Sequence, residues 1–162
     1  MPIIIERNAR LLDMIAIMVF LVALNVYALF MKKRLSQLEL YVTTFFALFF
    51  GYSYDMIFDL GLDLYGYFSP GFEWPGQVAV SLMYIGISAV YLNYFPFSLP
   101  FRVKSFYIIC WVLFASTFEY FAVQTSFFYY NGWQLVYSAI IYLIVFPILV
   151  LNLYAVRYFR QK

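Results

Sequence analysis

Residues 11–34 read LLDMIAIMVFLVALNVYALFMKKR, an apolar run closed by three consecutive basic residues. The run is about 20 residues long, the length a helix needs to cross a bilayer's hydrocarbon core. It is longer than a signal-peptide core and ends in Lys32-Lys33-Arg34 rather than in a small-residue cleavage site, so it reads as a retained span over 11–31. Four further runs of similar length and character follow, at 40–60, 77–97, 105–124 and 135–154. Each is continuously apolar, not alternating over about 10 residues as barrel strands are. A helix also pairs its own backbone amides, which lipid does not do. The fold expected is all-α: an integral membrane bundle of five transmembrane helices forming a single domain, 1–162, behind a short pre-membrane segment, 1–10.

The charges orient these spans. Lys32, Lys33 and Arg34 follow the first, Arg102 and Lys104 separate the third from the fourth, and Arg157, Arg160 and Lys162 follow the fifth. Asp55, Asp59, Asp63, Glu73 and Glu119 lie towards the opposite ends. Lys and Arg concentrate in cytoplasmic loops. The expectation is a multi-pass plasma-membrane protein with its N-terminus outside and its C-terminus cytoplasmic. Arg7 and Arg10 oppose that orientation, offset by Glu6 and Asp13. Trp74 and Trp133 fall in the outer loops, where amphipathic rings favour the headgroup level.

The chain has 162 residues, 66% hydrophobic and 11% charged. Soluble domains carry about 25% charged residues, and the spans leave no room for one. Cys110 is the single cysteine, so there is no intramolecular disulfide and no cysteine-rich metal site. The absence of histidine excludes a Ser-His-Asp triad and a histidine ligand set. No cofactor and no nucleic acid is implied. The bilayer is the partner, and association with a second copy or another membrane protein is compatible with the sequence.

The candidate polar site is built from the acids. Asp55, Asp59 and Asp63 are spaced i, i+4, i+8, which sets three carboxylates on one face of a helix. An ionised Asp at a span centre costs about 2.5–3.5 kcal/mol, so Asp55 calls for neutralisation by a proton or a cation. Asp59 and Asp63 are also readable as solvated groups at the span's outer end. Glu119 lies towards the outer side of the fourth span, with the Tyr120 hydroxyl beside it in sequence. It is open to two roles, protonated interhelical glue worth about 0.6–2 kcal/mol, or a proton donor or ion ligand. Asn25, Asn93 and Asn152 suit interhelical hydrogen bonding. Pro147 predicts a local kink, and Gly86 with Ser81, Ser88 and Ala89 offers a small surface for close packing.

A few residues also align as an internal repeat or as a chance match. Trp74 precedes Asn93 by the same spacing that separates Trp133 from Asn152, and an acid precedes each Trp, Asp59 and Glu119. Each unit is a helical hairpin of span, acid, aromatic loop and span.

The run Glu119-Tyr120, then Phe127-Phe128-Tyr129-Tyr130-Asn131-Gly132-Trp133, then Tyr137-Ser138 resembles a family of small multi-span membrane proteins of Gram-positive spore-forming bacteria. In the first half the resemblance is carried by Asp59, by Leu64-Tyr65-Gly66-Tyr67-Phe68 and by Asn93-Tyr94-Phe95-Pro96. It implies a bacterial membrane protein, with no activity and no catalytic residues; Asn131 and Trp133 join the acids in the candidate polar site. A membrane Glu followed by an aromatic loop and a further span is also similar to small membrane carotenoid and terpene cyclases. Their paired-Glu Pro-x-Glu-Glu motif is missing here.

These features give three functional expectations. The first is a non-catalytic polytopic membrane protein whose outer-side carboxylates, among them Asp55, Asp59 and Glu119, act as helix–helix glue or a cation site. The second is a membrane enzyme acting on a lipid or isoprenoid through Asp59 and Glu119. The third is a small transporter or channel subunit. An enzyme needs carboxylates converging on one cavity, a transporter needs a polar path running inward past Asn25 or Asn93, and pure glue needs each acid paired with no cavity beside it.

Overall fold

A computed structural model describes residues 2–161; the side chains of residues 2–10, including Glu6, Arg7 and Arg10 of the orientation argument, and Lys162 of the basic tail lie outside what is described. Five long helices follow in order: α1 (Pro2–Phe30), α2 (Gln37–Asp55), α3 (Trp74–Tyr94), α4 (Phe101–Val123) and α5 (Leu135–Arg160). Four of them, α1 over Leu11–Phe30, α3, α4 and α5, are long and apolar enough to cross a membrane. The exception is α2, because Glu39, Thr43, Thr44, Gly51, Ser53 and Asp55 interrupt its apolar character.

Three features depart from plain helices joined by loops. The second span does not run as one α-helix over 40–60. At Met56 it widens into a π-helical turn, Met56–Gly61, and Asp63 lies beyond it with φ of 48°. The uniform i, i+4, i+8 face of three acids therefore does not form. The loops after α2 and after α4 are not irregular. Each contributes a three-residue strand, β1 (Tyr65–Tyr67) and β2 (Phe128–Tyr130), paired antiparallel with Tyr65 opposite Tyr130 and Tyr67 opposite Phe128. Helix starts also differ by a few residues: α3 begins at Trp74 with Pro at its first turn, where a missing N–H costs nothing, and α4 begins directly after Pro100.

The chain thus forms two helical hairpins, α2–β1–α3 and α4–β2–α5, stitched together by the ribbon. Within each hairpin the helices pack closely, and α2 also packs on α5. α1 stands outside this group and packs on α3. Gly86 allows the approach: a Cβ there would meet Asn25 Nδ2 at 2.9 Å and Leu24 at 3.0 Å. Asn25 donates to the Leu82 carbonyl of α3 at 2.8 Å, one of the interhelical bonds its position predicts.

The basic end is closed by polar and aromatic contacts. Ser36 caps α2 with a reciprocal box to Glu39. Arg157 of α5 binds Glu39 at 2.9 Å, and Arg160 reaches Ser36 at 3.0 Å. Burial opposes ionisation of Glu39, but the Ser36 amide and hydroxyl and the Arg157 guanidinium outweigh it and hold the carboxyl below the usual Glu value. Asn93 accepts the Arg34 amide at 2.7 Å and donates to the Lys32 carbonyl at 3.0 Å, fixing the turn after α1. Beneath these lies a core of Tyr91, Leu92, Phe146, Leu149, Val150 and Leu153, in which fully buried Tyr91 packs against Tyr107, Trp111 and Phe146. α5 runs through Pro147 without a break.

Candidate functional site

Two buried carboxylates organise the strand end of the bundle. Asp55 is the last residue of α2, 6% exposed. Its Oδ1 accepts the Tyr65 hydroxyl of β1 at 2.8 Å and its Oδ2 accepts the Tyr84 hydroxyl of α3 at 2.7 Å. Gly51, one turn earlier on α2, makes the second bond reachable, because the Tyr84 ring lies where a Cβ on residue 51 would sit. Glu119 of α4 is 5% exposed. Its Oε1 accepts Tyr130 of β2 and Ser138 of α5, both at 2.5 Å, and its Oε2 accepts Tyr142 of α5. Trp133 Nε1 donates to Ser138 Oγ at 2.8 Å, extending the chain of hydroxyls to the indole.

The two nodes share one plan. In each hairpin the acid sits on the first helix, takes a tyrosine hydroxyl from the strand that follows, and takes another from the second helix. The repeat read in the sequence therefore has a structural counterpart, with Asp55 rather than Asp59 standing opposite Glu119. A carboxylate is an acceptor with about four lone-pair sites, and several O–H donors satisfy it without a basic partner. No ion pair reaches either acid among the described residues.

Between the nodes lies a cavity of about 160 Å³. Asp55 and Glu119 both line it, together with Trp133, Ser138 and an aromatic wall that includes Tyr84, Phe118 and Tyr142. α2, α3, α4 and α5 all contribute, and no Lys or Arg does. Phe114, 45% exposed on the outer surface of α4, belongs to the same wall.

The remaining candidates lie elsewhere. Asp59 is buried in the π-helical turn, away from the cavity wall, and its carboxylate makes no hydrogen bond among the described residues. Asn131 is at the surface: its side chain donates to Asp63 at 3.0 Å and its amide to the Leu64 carbonyl at 2.7 Å. With Gly132 at φ of 88°, which favours glycine, it turns the chain so that Trp133 points back to the cavity. Tyr120, the hydroxyl next to Glu119 in sequence, is 52% exposed and packs its ring on Phe121, since consecutive helical residues point about 100° apart. Tyr84 and Tyr142 carry half of the tyrosine contacts to the acids and had no distinguishing signal among 17 tyrosines.

Among the described residues no three His, Cys, Asp or Glu side chains converge to hold a metal ion. The two carboxylates are therefore hydroxyl-anchored groups facing an apolar chamber. Comparison with protein families, with curated proteins and with solved structures finds no match.

Proposed function

We propose that this protein crosses the plasma membrane five times, N-terminus outside and C-terminus cytoplasmic, and binds a membrane-soluble small molecule in the cavity between its two hairpins without transforming it. The observation that carries this reading is the common wall: Asp55 and Glu119 come from different hairpins and face one chamber lined by aromatic rings. Ligand sites are mostly apolar concavities with a few placed polar groups. Carboxylates serving only as glue need no such chamber. The glue role is retained, since each acid ties its own hairpin together through tyrosines. α2 with its π-helical turn supplies the second of the five spans, and its low apolar content fits its position, packed against both α3 and α5.

A second reading, acid chemistry on an isoprenoid, draws on the same wall, because a carboxyl group beside aromatic faces suits protonation of a double bond. The transport reading draws on less. Asn25 and Asn93 are both engaged in structural bonds, and the basic end is filled by the Tyr91 cluster.

Trp133 reports on the cavity. With Trp74 and Trp111 replaced by Phe, it is the remaining tryptophan. Bromobenzene added to the detergent-solubilised protein should quench it saturably, and Ala115→Phe, which fills the wall, should remove the saturable part. Quenching that rises linearly with probe and ignores Ala115→Phe would sink the reading.

A further inference from the structure

Resting on that binding reading, we propose that the ligand is a lipophilic organic cation: an apolar body of about one aromatic ring bearing a quaternary ammonium or similar delocalised positive charge. The first ground is charge. The cavity wall carries two carboxylates and no basic residue, and the partners of both acids are neutral hydroxyls. A chamber with acidic groups on two sides and no internal counter-charge is electrostatically complementary to a cation.

The second ground is the character of the rest of the wall. Tyr54, Tyr84, Phe118, Trp133, Tyr142 and Phe146 present aromatic rings to the same space. Ring faces attract cations, most strongly where water is excluded, and aromatic cages recognise quaternary ammonium groups in this way. An inorganic ion does not fit the arrangement, because the carboxylate oxygens are already occupied by hydroxyls and no third acidic ligand joins them. A quaternary head demands no direct oxygen ligand; it needs nearby negative charge and polarisable faces.

The third ground is size. The cavity measures about 160 Å³, and an apolar void of about 150 Å³ accommodates benzene. The space therefore takes one compact group, the charged head against the two carboxylates, while the ring and any longer tail extend along the wall towards exposed Phe114.

The test uses two probes of nearly equal shape that differ in charge: 4-bromobenzyl-trimethylammonium and its carbon isostere, 4-bromo-neopentylbenzene. Both are titrated against the protein whose remaining tryptophan is Trp133, in the same uncharged detergent. The cation should bind at least about tenfold more tightly than the isostere after correction for detergent partitioning, as cation–π and carboxylate attraction together imply. Asp55→Asn and Glu119→Gln should each bring that ratio down towards unity. Equal binding, or tighter binding of the isostere, by the parent protein overturns the cation proposal and leaves the cavity reading standing. Saturable binding of neither probe overturns both. A cation preference unchanged in both variants overturns the assignment to these two carboxylates.

Discussion

Tyr65 and Tyr130 stand directly opposite each other in the ribbon, yet their hydroxyls go to different acids, Tyr65 to Asp55 and Tyr130 to Glu119. Directly opposed residues of an antiparallel pair project from the same face, so one face of a six-residue ribbon serves both hairpins. The ribbon is therefore a cross-brace between two carboxylate nodes rather than a loop ornament.

The Gly51–Tyr84 contact gives the sharpest packing prediction. A Cβ at residue 51 meets the Tyr84 ring, so Gly51→Ala should push that ring off Asp55 and destabilise the fold by roughly 1–3 kcal/mol. Tyr84→Phe removes the hydroxyl alone and should cost about 1 kcal/mol. The double variant should be less destabilised than the sum of the two, because both act through one bond. Unfolding midpoints in detergent measure all three; strict additivity would show that Gly51 acts on something else.

Glu119 separates size from chemistry. Glu119→Leu strands the Tyr130, Ser138 and Tyr142 hydroxyls and should destabilise by roughly 2–5 kcal/mol, at about 0.6–1.7 kcal/mol per bond. Glu119→Gln keeps one carbonyl acceptor and an amide that Tyr142 can accept from, and should cost less than half as much. Thermal unfolding of the two variants decides; equal losses would mean that the charge, not the hydrogen bonding, is what the site needs.

Glu39 predicts a pH dependence at the basic end. Its folded pKa lies below the ordinary value of 4.5. The sign follows from linkage: the group stabilises the fold above the unfolded pKa, and that contribution is lost as pH falls through the lower, folded one. Stability should thus decline as pH drops below about 4.5, and Glu39→Gln should flatten that part of the profile. Melting curves between pH 3 and pH 7 check it; a parent and variant with parallel profiles would remove Glu39 from the account.

The proposed orientation is tested by surface labelling. With exposed Cys110 replaced by Ser, single cysteines at Pro70 and Gln124 should react with an impermeant thiol reagent on intact cells, and cysteines at Ser98 and Gln161 should not. The reverse pattern would invert the topology.

What the sequence made legible was the apolar length of the helices and the placement of charge at their ends, because both are local properties of a segment. The count of five long helices followed from them. The π-helical turn after Asp55 and the ribbon were not legible. The π-helical turn closes through local bonds, such as Leu64 to the Phe58 carbonyl, that no residue pattern marks, and the ribbon depends on contacts between distant segments, Phe68 donating to Phe127 and Asn131 and Trp133 both reaching Leu64. The same reason hid the partners of Glu119. Sequence adjacency suggested Tyr120, but the hydroxyls that reach the carboxylate come from positions 11, 19 and 23 residues away, on another strand and another helix. Spacing to the following Trp pairs Asp59 with Glu119, yet both Asp55 and Asp59 are buried; the cavity lies against Asp55, one helical turn earlier, where the Gly51 gap admits the Tyr84 ring.

The polar character of α2 bears on how the chain is made. A segment leaving the ribosome with Asp55 at its far end has, at that moment, neither Tyr65 nor Tyr84 to satisfy the carboxylate, since both emerge later. Alone it is a poor candidate for release into lipid. On the proposed five-span reading, its insertion should be tied to the arrival of α3, the two entering as a pair, with the more apolar α1 gaining its Leu82 partner for Asn25 at the same stage. Truncating nascent chains before and after residue 84 would place that moment on the translation clock.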